Sequence, residues 1–350
     1  MFKNGKINNL TMRDVAREAG VSQSTVSHYL NKSAPVSAST CQKIIEAIQK
    51  LNYQPNLIAR NLKRKKSNTI GLFIPDMMNL YYAELAKGVT DAAQQEGYAV
   101  ILYATGYRRE MEGEFVDLVL QQQVDGVIIA YNFIDERLWK RLEENQAQAV
   151  MLDVYPAQKI GPTIVIDGEK GIHEAVNYLY QLGHRDYAFL SEPPYVLPLI
   201  IRNRAFMSVL KEKNIPVNKE WVLVEKRQIN RVEIGFSLGK DLLSRKELPT
   251  AVLTSSDLVA VGAIKAFLSS GIRVPDDISV VGFDDITLAS YIHPSLTTIA
   301  QPKYQMGRMS VELLLKIMTG QILPDSFMIN VFEPKLVVRL STGIPKKKSY

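Results

Sequence analysis

Only one of the 350 residues is a cysteine, Cys41, so no internal disulfide can staple the chain. Cys41, Ile44, Ile45, Ile48 and Leu51 recur at helical spacing, which makes the thiol a packing group rather than a redox site. Four histidines, His28, His173, His184 and His293, keep no metal-ligand spacing, and no second cysteine completes a zinc set. No G-x-G-x-x-G follows a strand pattern, which removes the usual dinucleotide cradle. Neither a metal nor another cofactor is therefore expected. No apolar run approaches the ~20 residues of a membrane span. The opening MFKNGKINNL also lacks the apolar core of a secretory signal. A cytoplasmic protein without a membrane partner is expected. With 46% hydrophobic and 22% charged residues, the composition is that of a soluble globular chain, long enough for two or three domains.

Acidic residues are scarce at one end. Residues 1–66 hold 12 Lys and Arg against 3 Asp and Glu, which leaves 30 against 33 of the chain's 42 and 36 for the remainder. A positive excess confined to one end is the electrostatic footprint of a nucleic-acid module on an otherwise ordinary body.

Within that basic end, TMRDVAREAGVSQSTVSHYLN (Thr11 to Asn31) reads as two short helices around a glycine turn. Val15, Ala16 and Ala19 form an apolar stripe, and Ala16 is small enough for a second helix to cross closely. Gly20 falls where the chain must reverse, and Ser22 is the expected N-cap of the second helix. That helix turns Val26, Tyr29 and Leu30 inward and leaves Gln23, Ser24, Thr25, Ser27 and His28 outside, a polar face with no carboxylate. Amides, hydroxyls and imidazole can meet base edges and phosphates in a major groove. A third helix is expected from a Ser37 cap to Leu51. Beyond it, LIARNLKRK (Leu57 to Lys65) has helical spacing but too little apolar surface to fold alone.

Past Ser67, short β-branched runs (TIGLFIP, YAVILY, GVIIA, AVMLD, TIVI, DYAFL, WVLVE, AVLT, ISVVGF) alternate with amphipathic helices. These are buried parallel strands in two successive α/β sheets, which can close on a small molecule between their strand ends. Asp284 after ISVVGF and Arg202, read as opening the helix IIRNRAFMSVL, could bind its hydroxyls with charge-assisted hydrogen bonds. Tyr81 and Tyr82 offer stacking faces; Asp153 and Asp167, each just past a strand, are further candidates. One motif points elsewhere. GFSLG (Gly235 to Gly239) matches the G-x-S-x-G elbow of hydrolases, but Val232, Phe236, Leu238 and Leu242 are spaced as in a helix, whereas an elbow needs a strand leading into the serine.

The helix pair, the NYQPNLIARNLKRKKS segment behind it, and IGLFIPD, VDGVIIA, LGHRD, ISVVGFDD and TTIAQPKYQMG together resemble the LacI/GalR family of bacterial transcription regulators over nearly the whole chain. The resemblance implies an all-α helix-turn-helix headpiece at 1–56, a hinge helix at 57–66, and a two-lobed, periplasmic-binding-protein-like α/β body of parallel sheets at 67–350. The chain should cross between the lobes near Asp167, Tyr291 and Leu323. The implied DNA-facing set is Thr11, Ser22, Gln23, Ser24, Thr25, Ser27, His28, Asn31, Tyr53, Asn56, Arg60, Leu62 and Lys63, with Leu62 as a minor-groove wedge. The implied effector set is Tyr81, Tyr82, Asp153, Arg202, Asn230, Ser256 and Asp284. Four departures from the family pattern, Leu80 for proline, Ala205 for glycine, Asn230 for an aromatic and Ser256 for asparagine, bear on which effector fits. The expected function is a repressor that binds a palindromic double-stranded operator as a homodimer and responds to a carbohydrate-like effector such as a sugar, sugar phosphate or nucleobase. The ending IPKKKSY has no leucine heptads that would build a tetramer. The rival readings are a transport-class sugar-binding protein and a serine hydrolase.

Overall fold

The structure, a computed structural model, describes residues 10–31, 33–53, 66–108, 110–121, 124–130, 136–153, 162–194, 197–227, 230–323 and 328–346. It divides into two compact units, Met1–Ser67 and Asn68–Tyr350.

The first unit holds α1 (Met12–Ala19), α2 (Gln23–Asn31) and α3 (Ala38–Leu51). Asp14 caps α1 by accepting the Thr11 amide at 2.9 Å and its hydroxyl at 2.7 Å, and these bonds hold its carboxyl below the usual range. Gly20 ends the helix at φ 67°, a left-handed turn that spares glycine the Cβ clash. Ser22 accepts the Thr25 amide at 3.1 Å and Ser37 accepts that of Thr40 at 3.3 Å, so both expected caps are present. Val15, Ala16, Ala19, Val26, Ile44 and Ala47 form the small core, with Tyr29 and Leu30 packed against it. Cys41 is half-buried on α3 and faces the Val36 carbonyl at 3.6 Å.

The second unit begins with β1 (Thr69–Ile74), α4 (Leu80–Gln95), β2 (Ala99–Ala104), α5 (Glu110–Leu120), β3 (Gly126–Ile129), α6 (Glu136–Glu144), β4 (Ala149–Leu152) and β5 (Thr163–Ile166). Then follow α7 (Gly168–Gln181), β6 (Tyr187–Ser191), α8 (Leu197–Glu212), β7 (Val222–Val224), α9 (Arg231–Leu243), β8 (Ala251–Thr254), α10 (Asp257–Ser269), β9 (Ser279–Asp284), α11 (Leu288–Tyr291) and β10 (Thr297–Ala300). The last elements are α12 (Lys303–Met318), β11 (Ile329–Phe332) and β12 (Lys335–Val337).

Two six-stranded sheets result, ordered β11-β5-β4-β3-β1-β2 and β12-β10-β9-β8-β6-β7. All pairs are parallel except β12 against β10, so the second sheet carries one antiparallel edge. Alternate residues of β1 explain the double layer: Ile70, Leu72 and Ile74 pack with α4 and α12, while Phe73 packs with α5 and α6 on the other face. In the second lobe α9 and α10 cover one face and α7 and α8 the other.

The chain changes lobes three times, and two of the changes differ from expectation. The first lies at Asp167, between β5 and α7, as the sequence suggests. The second lies at Gln301–Pro302, not near Tyr291, because α11 is a single turn folded back on the second lobe by the Leu296 amide donating to the Ala289 carbonyl. The third lies at Glu333–Pro334, between β11 and β12, not near Leu323. Strands of three or four partly exposed residues carry little apolar signal from which sheet membership could be read.

Candidate nucleic-acid interface and ligand cavity

On α2, Gln23, Ser24 and His28 are exposed, and Thr25 and Ser27 are half-buried beside them. Their groups are partly oriented already. Arg13 Nε donates to Gln23 Oε1 at 3.3 Å, which brings a basic residue of α1, missed by the sequence reading, beside the amide. The Ser22 hydroxyl lies 2.7 Å from those of Ser24 and Thr25, so Ser22 serves the helix start. His28 Nδ1 lies 3.0 Å from Ser33 Oγ, and Asn31 Nδ2 donates to the Ser27 carbonyl at 2.9 Å. Thr11 is exposed but committed to Asp14. Tyr53 is only 7% exposed, and its ring is part of the core of this unit. Asn56, Arg60, Leu62 and Lys63 lie outside the described residues.

In the second unit the seven expected ligand residues, Tyr81, Tyr82, Asp153, Arg202, Asn230, Ser256 and Asp284, line one cavity of about 390 Å3. Asp167 does not; it caps α7 by accepting the Lys170 amide at 2.9 Å. The cavity lies between the lobes at the carboxyl ends of the strands, where parallel sheets present their loops. Tyr81 and Tyr82 pack edge to face at 5.0 Å, with Tyr81 buried as the first-turn anchor of α4. Arg202 does not open its helix. It sits more than a turn inside α8, which starts at Leu197, because Pro198 falls in the first turn where its missing N–H costs nothing.

Arg202 is 5% exposed and stacks on the Phe283 ring at 3.7 Å. Its Nη1 donates to the Ser255 carbonyl at 2.6 Å and lies 3.7 Å from Asp284 Oδ1. Asp284 Oδ1 also accepts Gln301 Nε2 at 2.6 Å. Burial pushes the Asp284 carboxyl up to about 6, against the opposing pull of Arg202 and Lys303. Burial likewise raises Asp153, opposed by Arg202. Behind them Asp257, wholly buried, is raised far above the carboxylate range by burial and by the charge of Asp284; it accepts the Ile286 amide at 2.8 Å and so fixes the loop after β9. Asp285 turns aside to Arg339 at 2.7 Å. Three buried polar atoms, Arg202 Nε, Ser256 Oγ and Gln301 Oε1, have no hydrogen-bond partner among the described residues. Buried polar groups are costly unless satisfied, and all three atoms belong to residues that line the cavity.

The sequence reading missed a second polar cluster on the same cavity. Arg231 Nε donates to Glu192 at 2.6 Å, Nη1 to Asp76 at 3.1 Å and Nη2 to the Tyr107 hydroxyl. Burial opposes the guanidinium charge, but Glu192 and Tyr107 outweigh it, and the Tyr107 hydroxyl is itself pushed up to about 12. Asn230 caps α9 by accepting the Val232 amide at 2.8 Å.

Gly235 and Gly239, the glycines of GFSLG, lie within α9. A Cβ on Gly235 would stand 1.9 Å from the Val259 carbonyl oxygen, and one on Gly239 2.8 Å from Ala266 Cβ. They are glycine because α9 and α10 cross in contact, and Ser237 sits on a helix rather than a strained elbow.

A sequence profile described as "Bacterial regulatory proteins, lacI family" matches residues 11–56, and one described as "Periplasmic binding protein-like domain" matches 176–342. The "HTH-type transcriptional repressor PurR" of Vibrio parahaemolyticus is 33% identical over 332 residues, covering 94% of this chain and 97% of that protein. The chain belongs to the lacI family of bacterial regulatory proteins. The "Ribose operon repressor" of Halalkalibacterium halodurans is 37% identical over 335 residues, covering 95% of this chain and 97% of that one. The crystal structure of the Lac repressor dimer bound to operator and the anti-inducer ONPF matches with a TM-score of 0.85 at 31% identity, over 96% of this chain and 100% of that one. As a lacI-family member the chain is a DNA-binding transcription regulator, not an enzyme. No described helix is long and apolar enough to cross a membrane.

Proposed function

We propose that this lacI-family regulator is a cytoplasmic repressor that binds a pseudo-palindromic operator as a homodimer, under the control of a small-molecule effector in the body cavity. The observation that carries the effector reading is the convergence of Arg202, Ser256, Gln301 and Asp284 on one cavity between the lobes. A donor, a hydroxyl and two acceptors suit a ligand rich in hydroxyls or ring nitrogens, the chemistry of sugars, sugar phosphates and nucleobases.

The division into headpiece 1–56, hinge 57–66 and body 67–350 belongs to the same reading. Gln23, Ser24 and His28 read bases, Arg13 joins the phosphate contacts, and Leu62 wedges the minor groove from the hinge. Tyr53 acts from the core, by holding α3 in place.

Thermal-shift screening of the full chain against sugars, sugar phosphates and nucleobases tests the effector reading. A true effector at 100 times its dissociation constant stabilises the body by ~2.7 kcal/mol. A hit whose shift survives unchanged in Arg202→Ala removes the cavity from the proposal.

A further inference from the structure

The cluster around Arg231 joins the two lobes. Arg231 and Glu192 belong to the second lobe, while Asp76, after β1, and Tyr107, after β2, belong to the first. The Glu192 bond to Nε orients the guanidinium within its own lobe, and both terminal nitrogens then reach across the cleft. The Arg231 side chain is 13% exposed, that of Glu192 10% and that of Asp76 27%, so the guanidinium is largely sheltered while its cross-lobe carboxylate keeps one side in water. Helix stability does not explain the residue. Arg231 is the first residue of α9, where the helix dipole disfavours a cation. Tyr107 is held at φ 63°, a backbone state that only a surrounding demand maintains in a tyrosine.

We infer that Arg231 is an inter-lobe clamp that holds the two lobes together across the cleft through Asp76 and Tyr107. The lobes are also joined by three crossovers, at Asp167, Gln301–Pro302 and Glu333–Pro334, by Ile286, Leu258 and Leu288 packing on the first-lobe core, and by Lys303 donating to the Asp284 and Asp285 carbonyls, all close to the axis about which the lobes can rotate. Opening the cleft must separate Arg231 from both partners in the opposite lobe and leave Asp76 without its cation. An effector in the cavity meets an equilibrium between joined and separated lobes that the clamp biases towards the joined state. It can shift that equilibrium only by its differential affinity for the two states. The consequence for DNA binding rests on reading the cavity as the effector site; the clamp itself does not.

The test measures lobe separation in the full chain, free of ligand and DNA. Spin labels are placed at Ala83→Cys on α4 and Glu233→Cys on α9, both exposed, in a Cys41→Ser background, and the interlabel distance is read by pulsed electron resonance. The parent should give one narrow distribution. Asp76→Asn combined with Tyr107→Phe, which leaves the Glu192 to Arg231 bond inside its lobe intact, should shift the distribution to longer distances. Arg231→Met should give the same shift. A double variant that keeps a cooperative melting transition and superimposes on the parent overturns the clamp, whether or not Arg231→Met folds. Because no effector enters the measurement, such a failure leaves the reading of the cavity untouched, and a failed ligand screen leaves the clamp untouched.

Discussion

Replacing Asp284 by asparagine should stabilise the protein at neutral pH while weakening its effector site. Burial pushes the Asp284 carboxyl from 3.8 up to about 6 in spite of Arg202 and Lys303. A carboxyl whose folded pKa lies above its unfolded one binds more protons when folded. Its contribution is therefore intact below about pH 4, is lost as pH rises towards 6, and stays lost above. At ~1.4 kcal/mol per pKa unit, the ionised side chain costs the folded body roughly 3 kcal/mol at pH 8. Asparagine has nearly the same shape and no charge to bury, and its neutrality also relieves Asp257, which the Asp284 charge pushes up. With each kcal/mol worth ~2–4 °C in a body of this size, the variant should melt on the order of 6–12 °C above wild type at pH 8 and only about 2–4 °C above it at pH 4.5, where roughly 1 kcal/mol of the penalty is already present. Scanning calorimetry of both proteins across that range reads the difference directly. A gap that does not change with pH, or that narrows as pH rises, refutes the burial argument. Once an effector is in hand, the same substitution should weaken its binding about tenfold or more, as expected for loss of a charge-assisted hydrogen bond.

DNA affinity should fall steeply with salt, with a log–log slope near 0.9 per phosphate neutralised, and filter binding at several salt concentrations checks it; a flat profile would remove the basic end from the interface. Exchanging Gln23, Ser24 and His28 together should change the operator recovered by selection from random DNA more than it changes non-specific affinity, and recovery of an unchanged operator would contradict base reading by these residues. Gly235→Ala should destabilise the body by about 1–3 kcal/mol or more in urea unfolding, since the new methyl meets a helix backbone that cannot yield locally; a neutral result would mean that α9 and α10 are not in contact at Gly235.

The headpiece was readable in sequence because its determinants are local. The Ser22 and Ser37 caps, the Gly20 turn and the Val15, Ala16 and Ala19 stripe each lie within a few residues of what they control. Strand and helix positions in the body as far as β9 were readable for the same reason, except where Pro198 disguised the first turn of α8 as a loop, whereas β10, α12, β11 and β12 were not read. Sheet membership was not, since nothing in the short runs of β11 and β12 says which lobe each will join. The cavity was half legible. Arg202 and Asp284 follow familiar motifs, whereas Arg231 lies 155 residues from Asp76 and 124 from Tyr107, and these residues with Glu192 become one cluster only after folding. The available signal was an arginine directly after the Asn230 helix cap, a position where a cation weakens the helix.

That kind of local misfit recurs around the cavity, and it argues for function independently of any relative. Tyr107, Asp153 and Asp284 all line the cavity and all have positive φ, at 63°, 53° and 119°. Each such conformation costs about 1–3 kcal/mol in a residue with a side chain, and glycine would relieve it. The chain keeps tyrosine and aspartate there, and all three carboxyl and phenol groups are driven from their ordinary ionisation by burial at the same place. Stability alone would favour glycine or an apolar residue at each position. Strain, buried charge and unpartnered polar atoms converge on one volume of about 390 Å3 between the lobes, while strand interiors on either side are apolar and regular. The cleft is therefore where the fold keeps its strained backbone and its buried ionisable side chains together.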